Sequence, residues 1–175
     1  GGKSAKERLE SLPIVRNTYQ ESCHFPESSH THVIIGYRTA PLAGKDLYTL
    51  TLIKNMLTAS RASALMQELR YSRGLVYGVS GVLQVFSDAG MFGVSTSTSP
   101  QQVENVLDII GVELGKIRSG KFLDKDLQFY KDMTINAKRM YLQSSLAWID
   151  FHSHLNLFDP DWTVDTYLDN INRVT

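Results

Sequence analysis

The segment from Glu68 to Ser80 holds the side chains whose types and spacing best suit chemistry. A helix is predicted to end at Gly74 and a strand to begin at once, which places Arg70 in the last helical turn and Tyr77 early in the strand. Such a junction can aim a guanidinium and a phenol at one spot. Both groups donate hydrogen bonds and neither must carry negative charge, so they suit a peptide carbonyl or the oxyanion formed when it is attacked.

A purely structural interpretation of the same two residues is also open. An arginine at a helix C-terminus is favoured by the helix dipole, and a tyrosine in a strand follows ordinary β propensity. The residue types alone therefore leave the role of Arg70 and Tyr77 undecided.

Histidines do not form a recognisable zinc-binding pattern in this sequence. The five are His24, His30, His32, His152 and His154. A zinc hydrolase usually needs two histidines one helical turn apart or a histidine and cysteine cluster, and neither is present. His30 and His32 could share a strand face, but two ligands do not close a zinc site. His152 and His154 would point apart on a helix.

The sequence also shows no recognisable nucleophile with an activating base. The run Gly78-Val79-Ser80-Gly81 lies inside a strand pattern, whereas a nucleophile elbow needs a strand-to-helix turn. Cys23 and His24 are sequence neighbours, which gives no reason to place them in a triad. No glycine loop able to cradle phosphate occurs. The chain is therefore not expected to be a complete hydrolase by itself.

Composition bounds the remaining classes of function. The 175 residues carry 18 Lys+Arg and 18 Asp+Glu, and this balance argues against non-specific nucleic-acid binding. A single cysteine forbids an internal disulfide. No run of about 18 apolar residues and no signal peptide is visible. We expect a soluble protein, with the cytoplasm favoured over the periplasm or an organelle and the compartment otherwise open.

Strand patterns are predicted in two pairs. Ile14 to Glu21 and His32 to Arg38 read as a hairpin with a long turn. Leu75 to Phe86 and Met91 to Thr98 read as a second hairpin around a turn at residues 87–90. Antiparallel pairing is therefore expected.

Helices are predicted in blocks between and after the strands. Ser99 is expected to cap one helix in a capping box with Gln102, and its apolar stripe is Val103, Val106, Leu107, Ile110, Leu114 and Ile117. The other predicted helices are Asp46 to Leu57, Ala62 to Arg70, Asp124 to Tyr141, Leu146 to Leu157 and Thr163 to Val174. The order predicts an α+β fold, a two-layer sandwich whose helices cover one face of an antiparallel sheet.

The segment Glu68 to Val79 resembles the signature of the second, non-metal half of M16 metallopeptidases, the pitrilysin and mitochondrial processing peptidase clan. That signature runs roughly "eLRekrGLaYsv" and contains the Arg70 to Tyr77 spacing. Weaker similarities follow at Asp88 to Phe92, at Thr98-Ser99-Pro100, and at Tyr167 to Thr175. The resemblance covers about residues 30 to 175.

This resemblance implies a concrete arrangement. Such proteins pair two α+β halves around a chamber; one half bears an inverted H-x-x-E-H zinc motif, and the other supplies an arginine and a tyrosine that contact the substrate backbone. The chain lacks the zinc motif and has Arg70 and Tyr77, so it is similar to the second half. It implies that no cofactor is bound by this chain, that zinc sits on the partner half in cis or in trans, and that the substrate is an unfolded peptide.

Two departures from the family pattern stand out. Ser63-Ala64-Leu65 replaces the usual Ser-Arg-Leu, and the glycines that commonly precede it are missing. The chain also stops at Thr175, where relatives usually continue. The early stop implies that the one domain at 13–175 is truncated at its C-terminus. Separately, the polar character of residues 3–12 predicts a peripheral lead-in at 1–12.

Three functions remain in competition. The first is the substrate-binding, non-metal half of an M16 peptidase. The second is an M16-like scaffold in a larger complex without proteolysis. The third is an independent metalloprotein that uses His30 and His32. Neighbouring sequence that contains H-x-x-E-H would favour the first, and stoichiometric zinc in the purified chain would favour the third.

Overall fold

The computed structural model of the protein describes residues 20–23, 28–39, 45–86, 89–121, 124–156 and 163–175. The predicted lead-in at 1–12 lies outside these residues. So does most of the predicted strand Ile14 to Glu21, of which only Gln20 and Glu21 are described, and these two are not in a strand.

Three antiparallel strands form the sheet of the described chain, in the order β1-β3-β2. They are β1 (Thr31–Thr39), β2 (Val79–Val85) and β3 (Gly90–Thr98). β2 begins four residues later than the sequence predicts, because the chain after Gly74 first runs through a non-strand connector. Tyr77 therefore lies in that connector, and its predicted place in the strand is wrong.

Side chains alternate across the sheet, as the pleat requires. Phe92, Val94, Thr96 and Thr98 of β3 are all buried on the face that meets the helices. On the opposite face Gly93 pairs with Gly36 of β1. A Cβ atom added to Gly93 would collide with the backbone oxygen of Ile35 and lie 3.1 Å from Cα of Gly36, so these two strands approach closely here.

The helices follow the predicted blocks closely. The described residues form α1 (Lys45–Thr58), α2 (Val103–Arg118), α3 (Asp124–Tyr141), α4 (Ser145–Asn156) and α5 (Val164–Asn172). A π-helical turn spans Met66–Ser72, and a 3-10 turn spans Pro100–Gln102. Helices packed on a small antiparallel sheet confirm the predicted α+β class. None of the described helices combines the length and the apolar content needed to cross a lipid bilayer.

Two clusters of buried apolar residues hold the layers together. The sheet cluster contains Leu57, Leu65, Leu69, Val76, Val79, Phe92, Val94, Val106, Ile109 and Ile110. The helical cluster contains Tyr48, Leu52, Ile135, Phe151, Tyr167, Leu168 and Ile171. α1 contributes to both, since Leu57 lies in the first and Leu52 in the second. This helix therefore joins the sheet layer to the C-terminal helices.

The start of α2 differs from the prediction. Ser99 occupies an extended cap position before Pro100, but its side chain makes no capping hydrogen bond. Gln102 instead accepts a hydrogen bond from Nδ2 of Asn105 at 3.1 Å, so the predicted capping box is wrong. A 3-10 turn occupies these residues, which changes the geometry that the box requires.

The buried face of α2 is also rotated from the predicted stripe. Val106, Ile109, Ile110 and Glu113 are buried, at the offsets of one helical face. Leu107, which the stripe includes, is 38% exposed. Glu113 is charged and therefore falls outside an apolar stripe, yet it is buried with its carboxylate paired to Lys116 at 2.5 Å.

Candidate functional site

Arg70 is held at the end of a well-anchored helical turn. Leu65 and Leu69, which flank and enter this turn, are fully buried in the sheet cluster. Ser63 is also fully buried; its hydroxyl donates to the backbone oxygen of Asn55 at 3.0 Å and accepts from the backbone N–H of Ser60 at 2.8 Å. The loop that leads into the turn is therefore tied to the end of α1.

Gly74 follows the end of the π-helical turn, close to where the sequence predicts that the helix ends. Its φ is +64°, a region that residues with a Cβ rarely occupy. The backbone N–H of Gly74 donates to the oxygen of Arg70 at 3.1 Å, and that of Leu75 donates to the oxygen of Leu69 at 2.7 Å. These bonds terminate the turn and send the connector toward the sheet.

Two threonines of β3 fix this connector. The Thr98 hydroxyl donates to the backbone oxygen of Leu75 at 2.7 Å, and the Thr96 hydroxyl donates to that of Gly78 at 2.7 Å. Both threonines are buried, so bulk water does not compete with their hydroxyls for the two backbone oxygens. The two bonds bracket Tyr77 and hold its backbone in place.

Arg70 and Tyr77 come together at the surface. The Arg70 guanidinium carbon lies 4.8 Å from the centroid of the Tyr77 ring and 5.4 Å from that of Tyr71. Tyr77 is 86% exposed and Arg70 is half-buried. These distances are those of cation–π contacts, which orient a guanidinium while leaving its N–H groups available.

No acidic side chain in the described ranges forms an ion pair with Arg70. The nearby Arg73 is the one that pairs with Glu68, through Nε at 3.4 Å. The guanidinium N–H donors of Arg70 are therefore not occupied by a described carboxylate, and they lie beside the exposed Tyr77. The geometry brings together the two residues that the sequence singles out, while their role stays a prediction.

The described histidines are not grouped with other possible ligands in a way that would hold a metal ion. His30 lies just before β1, and its Nδ1 is 2.8 Å from the Ser29 hydroxyl; His32 is exposed on β1. His152 packs its ring 4.3 Å from that of Trp148. His24 and the side chain of His154 lie outside the described residues. Within the described part of the chain, no three His, Cys, Asp or Glu residues are grouped to hold a metal ion.

A cavity of about 300 Å³ lies between α1, α2 and α3, away from Arg70 and Tyr77. Its charged lining includes Glu113 and Lys116, and the hydrogen bond between them raises the pKa of Lys116. The buried carboxylate is thus already matched by a lysine of the same helix. Lys121 and Asp126 also line the cavity.

Thr96 and Thr98 are contributors that the sequence reasoning missed. The sequence predicts both within the strand Met91 to Thr98 and indicates no role of their own. The signal was available, because they share the inward face with Phe92 and Val94, and a polar side chain on a buried face needs a hydrogen-bond partner.

Comparison with known proteins places this geometry in context. A family model described as "Peptidase M16 inactive domain" matches residues 3–134, more than half of the chain. The uncharacterized zinc protease ML0855 of Mycobacterium leprae is 25% identical over 123 residues, which cover 70% of this chain and 28% of that protein. The uncharacterized zinc protease YmxG of Bacillus subtilis is 24% identical over 149 residues, covering 85% of this chain and 36% of that protein.

A solved structure supports the same fold. The crystal structure of a peptidase M16 inactive domain from Pseudomonas fluorescens superposes with a TM-score of 0.72 at 19% identity, covering 85% of this chain and 36% of that one. The chain thus spans between about a quarter and about two fifths of each relative's length.

Proposed function

The chain belongs to the family of M16 peptidase inactive domains, and from that premise we propose that it acts as the substrate-binding, non-metal half of a zinc-dependent M16 peptidase. In this proposal residues 13–175 form one domain that faces a homologous zinc-bearing half, in cis or in trans. Arg70 and Tyr77 donate hydrogen bonds to the scissile carbonyl of an extended peptide.

One observation carries the proposal: the Arg70 guanidinium lies 4.8 Å from the exposed Tyr77 ring, and no described acid neutralises it. As water attacks a peptide carbonyl, negative charge develops on the carbonyl oxygen. Donors that are already oriented toward this oxygen stabilise the transition state more than the substrate. Arg70 and Tyr77 are suited to that task because Gly74, Thr96 and Thr98 fix their backbones beforehand.

Zinc is assigned to the partner half in this proposal. Within the described ranges no three His, Cys, Asp or Glu side chains are grouped to hold a metal ion, so these residues do not fit a catalytic zinc site. Zinc-bound water would supply the nucleophile from the other half. Two expectations follow: the purified chain binds no stoichiometric zinc and cleaves no peptide, and mixing it with the zinc-bearing half restores cleavage.

The test measures cleavage of an unstructured fluorogenic peptide by the reconstituted pair. Arg70→Ala and Tyr77→Phe are each expected to lower kcat by about 10²- to 10³-fold, the size of effect seen when an oxyanion donor is removed. KM should change much less, since the lost hydrogen bond forms mainly in the transition state.

Matched controls separate this role from general damage. Arg73→Ala removes a guanidinium three residues away that pairs with Glu68, and Tyr37→Phe removes a phenol from exposed β1. Both controls should keep kcat within about twofold, as expected for surface changes. Full activity in both Arg70→Ala and Tyr77→Phe would remove the proposed role.

A scaffold function is the second candidate, and one surface favours it. Leu146, Trp148 and Ile149 of α4 expose apolar side chains close together in sequence, as contact surfaces between proteins often do. Under this alternative the pair assembles without cleaving peptide. A zinc motif in the adjoining reading frame together with cleavage by the assembled pair would exclude it.

A further inference from the structure

The cavity between α1, α2 and α3 contains a deeply buried carboxylate. Glu113 of α2 lines this cavity, and its side chain is only 7% exposed. A charged group is rarely buried to this extent, because taking an ion out of water is costly unless the ion is paired. Among the described residues Lys116 supplies the one hydrogen bond to this carboxylate, from Nζ to Oε1 at 2.5 Å. A carboxylate offers about four acceptor positions, so Glu113 can accept more.

The charges that line the cavity differ in depth. The side chain of Lys116 is 49% exposed, and Lys121 is exposed as well, whereas Glu113 is buried. Water and salt screen the two lysines far more than they screen the carboxylate. The interior of the cavity is therefore negative and matches a cation better than an anion. Lys116 can also swing into solvent at little cost, because half of its side chain already lies there.

The rest of the lining is largely apolar. Ala62 and Ala64 present short side chains, and Met56, Ile117 and the half-exposed Phe129 ring complete this part of the wall. The volume of about 300 Å³ lies at the lower end of the range for small-molecule sites. A guanidinium suits these surroundings, since it is weakly hydrated, stacks on aromatic rings and forms two parallel hydrogen bonds with a carboxylate.

We propose that this cavity binds a guanidinium group on a short aliphatic stem, which donates two hydrogen bonds to Glu113 and releases Lys116 to solvent. The stem packs against the apolar part of the wall. This site is separate from Arg70 and Tyr77, so the inference goes beyond the proposed function. The guanidinium can belong to a free small molecule or to an arginine side chain of another protein, and the chemistry of recognition is the same.

The experiment measures binding of n-butylguanidinium to the 175-residue chain by NMR chemical-shift titration. Two further probes keep the stem and change the head group: n-butylurea is neutral and of nearly the same shape, and n-pentanoate is an anion. We expect a Kd on the order of 1 mM or lower for n-butylguanidinium, as a ligand of about eight heavy atoms allows. n-Butylurea should bind about 10- to 100-fold more weakly, because it lacks the charge that strengthens both hydrogen bonds.

Lys116 reports directly on the exchange of partners. Its hydrogen bond to Glu113 is the largest cause that raises the pKa of Lys116; burial opposes this effect, and the charges of Glu113 and Glu68 add to it. Saturating n-butylguanidinium should therefore lower the pKa of Lys116 toward its ordinary value of 10.5. n-Butylurea at the same concentration should leave the pKa nearly unchanged. NMR titration of the Lys116 side chain measures both.

Three variants locate the site. Glu113→Gln keeps the shape of the side chain, removes its charge, and should weaken binding of n-butylguanidinium about 10- to 100-fold. Glu104→Gln is the matched control, because Glu104 is an exposed glutamate at the start of the same helix, and it should leave binding unchanged. Ala64→Arg should fill the cavity with a guanidinium of the chain itself, prevent binding, and lower the pKa of Lys116 without any ligand. Glu113→Gln tests the site even where Ala64→Arg fails to fold.

Four outcomes would overturn the inference: no saturable binding of n-butylguanidinium, equal binding of n-butylurea, unchanged binding in Glu113→Gln, or tighter binding of n-pentanoate. The blocked peptide acetyl-Gly-Arg-Gly-amide identifies the source of the guanidinium. Tighter binding of this peptide than of n-butylguanidinium assigns the site to an arginine side chain of another protein, and weaker binding assigns it to a free small molecule. These measurements need no zinc-bearing half, so their failure leaves the proposed peptidase role standing.

Discussion

Lys138 shows how one cation is fitted among aromatic rings. Its Nζ lies 4.3 Å from the centroid of Phe151 and 5.3 Å from those of Tyr141 and Tyr167. Burial lowers the pKa of Lys138, and the charge of Lys54 lowers it further, against an opposing effect of Asp150. The rings compensate part of the lost hydration through cation–π attraction.

Replacing Lys54 by methionine should raise the pKa of Lys138. Lys54→Met removes the repelling charge and keeps an apolar stem beneath Gly81. The pKa should stay below its ordinary value, because burial is the larger cause. NMR titration of the Lys138 side chain measures this, with Lys116→Met as the control that should leave it unchanged. An unaltered pKa in Lys54→Met would show that the two charges do not interact.

Tyr167 is expected to make the fold sensitive to alkaline pH. Burial raises the pKa of Tyr167 to about 12, from 10.0. Between pH 10 and 12 the unfolded chain loses this proton while the folded chain keeps it, so the free energy of unfolding falls with pH. The loss should reach about 2 to 3 kcal/mol. Urea unfolding at several pH values measures it.

Two variants test whether Tyr167 causes this loss of unfolding free energy at alkaline pH. Tyr167→Phe keeps the ring that contacts Tyr48 and Phe151 at centroid distances of 5.4 and 5.5 Å, and it removes the titrating hydroxyl. Its unfolding free energy should lose less between pH 10 and 12 than that of the unchanged chain. Tyr37→Phe, on exposed β1, should behave as the unchanged chain does. Equal slopes in all three would refute the role of Tyr167.

At the scale of elements, periodicity predicted most helices and strands to within a few residues. α3 matches its predicted bounds of Asp124 to Tyr141, and Gly120 has the positive φ expected where α2 stops. The π-helical turn at Met66–Ser72 could not be predicted, because the apolar spacing of Leu65 and Leu69 also fits an α-helix. The late start of β2 could not be predicted either. Val76 is buried although it lies in the connector, so its apolar side chain fits the strand pattern as well as a true strand residue does.

Gly74→Ala should disturb the candidate site through the backbone alone. Gly74 has a φ of +64° and no atom within 4 Å of an added Cβ, so the cost is conformational, about 1 to 2 kcal/mol. Relief of that strain would shift the connector and move Tyr77 relative to Arg70. Cleavage by the reconstituted pair should fall together with the melting temperature.

Gly120→Ala is a matched control for that change. Gly120 has a φ of +65° and equally open surroundings, but it ends α2 away from the site. The two variants should lose similar stability in thermal unfolding, and only Gly74→Ala should lose kcat. Equal losses of kcat in both would mean that stability alone explains the effect.

At the scale of the molecule, α1 should make unfolding cooperative. Leu57 is buried in the sheet cluster and Leu52 in the helical cluster, on the same helix. Leu57→Ala and Leu52→Ala should each lower the free energy of unfolding by about 2 to 5 kcal/mol. Both should shift one common transition when unfolding is followed by far-UV and near-UV circular dichroism. Separate transitions for sheet and C-terminal helices would contradict this.

The sequence also predicted the layered α+β class and the family, because the Arg70 to Tyr77 spacing and the alternation of hairpin and helix patterns are both local features. Contacts between residues that are far apart in the sequence could not be predicted. The pairing of β1 with β3 joins residues about 60 positions apart, and the bonds from Thr96 and Thr98 depend on it being in register. Only a folded chain reveals which polar side chain supports which loop.

The close approach of β1 and β3 at Gly93 also bears on how such a chain can diverge. Apolar inward positions of the sheet, such as those of Phe92 and Val94, can exchange one apolar side chain for another of similar volume. Position 93 has no such latitude, because even a methyl group would strike the main chain of the neighbouring strand. A related protein with any other residue at position 93 would also need a wider spacing between β1 and β3. We therefore expect evolution to retain glycine at this position in proteins that keep this pair of strands.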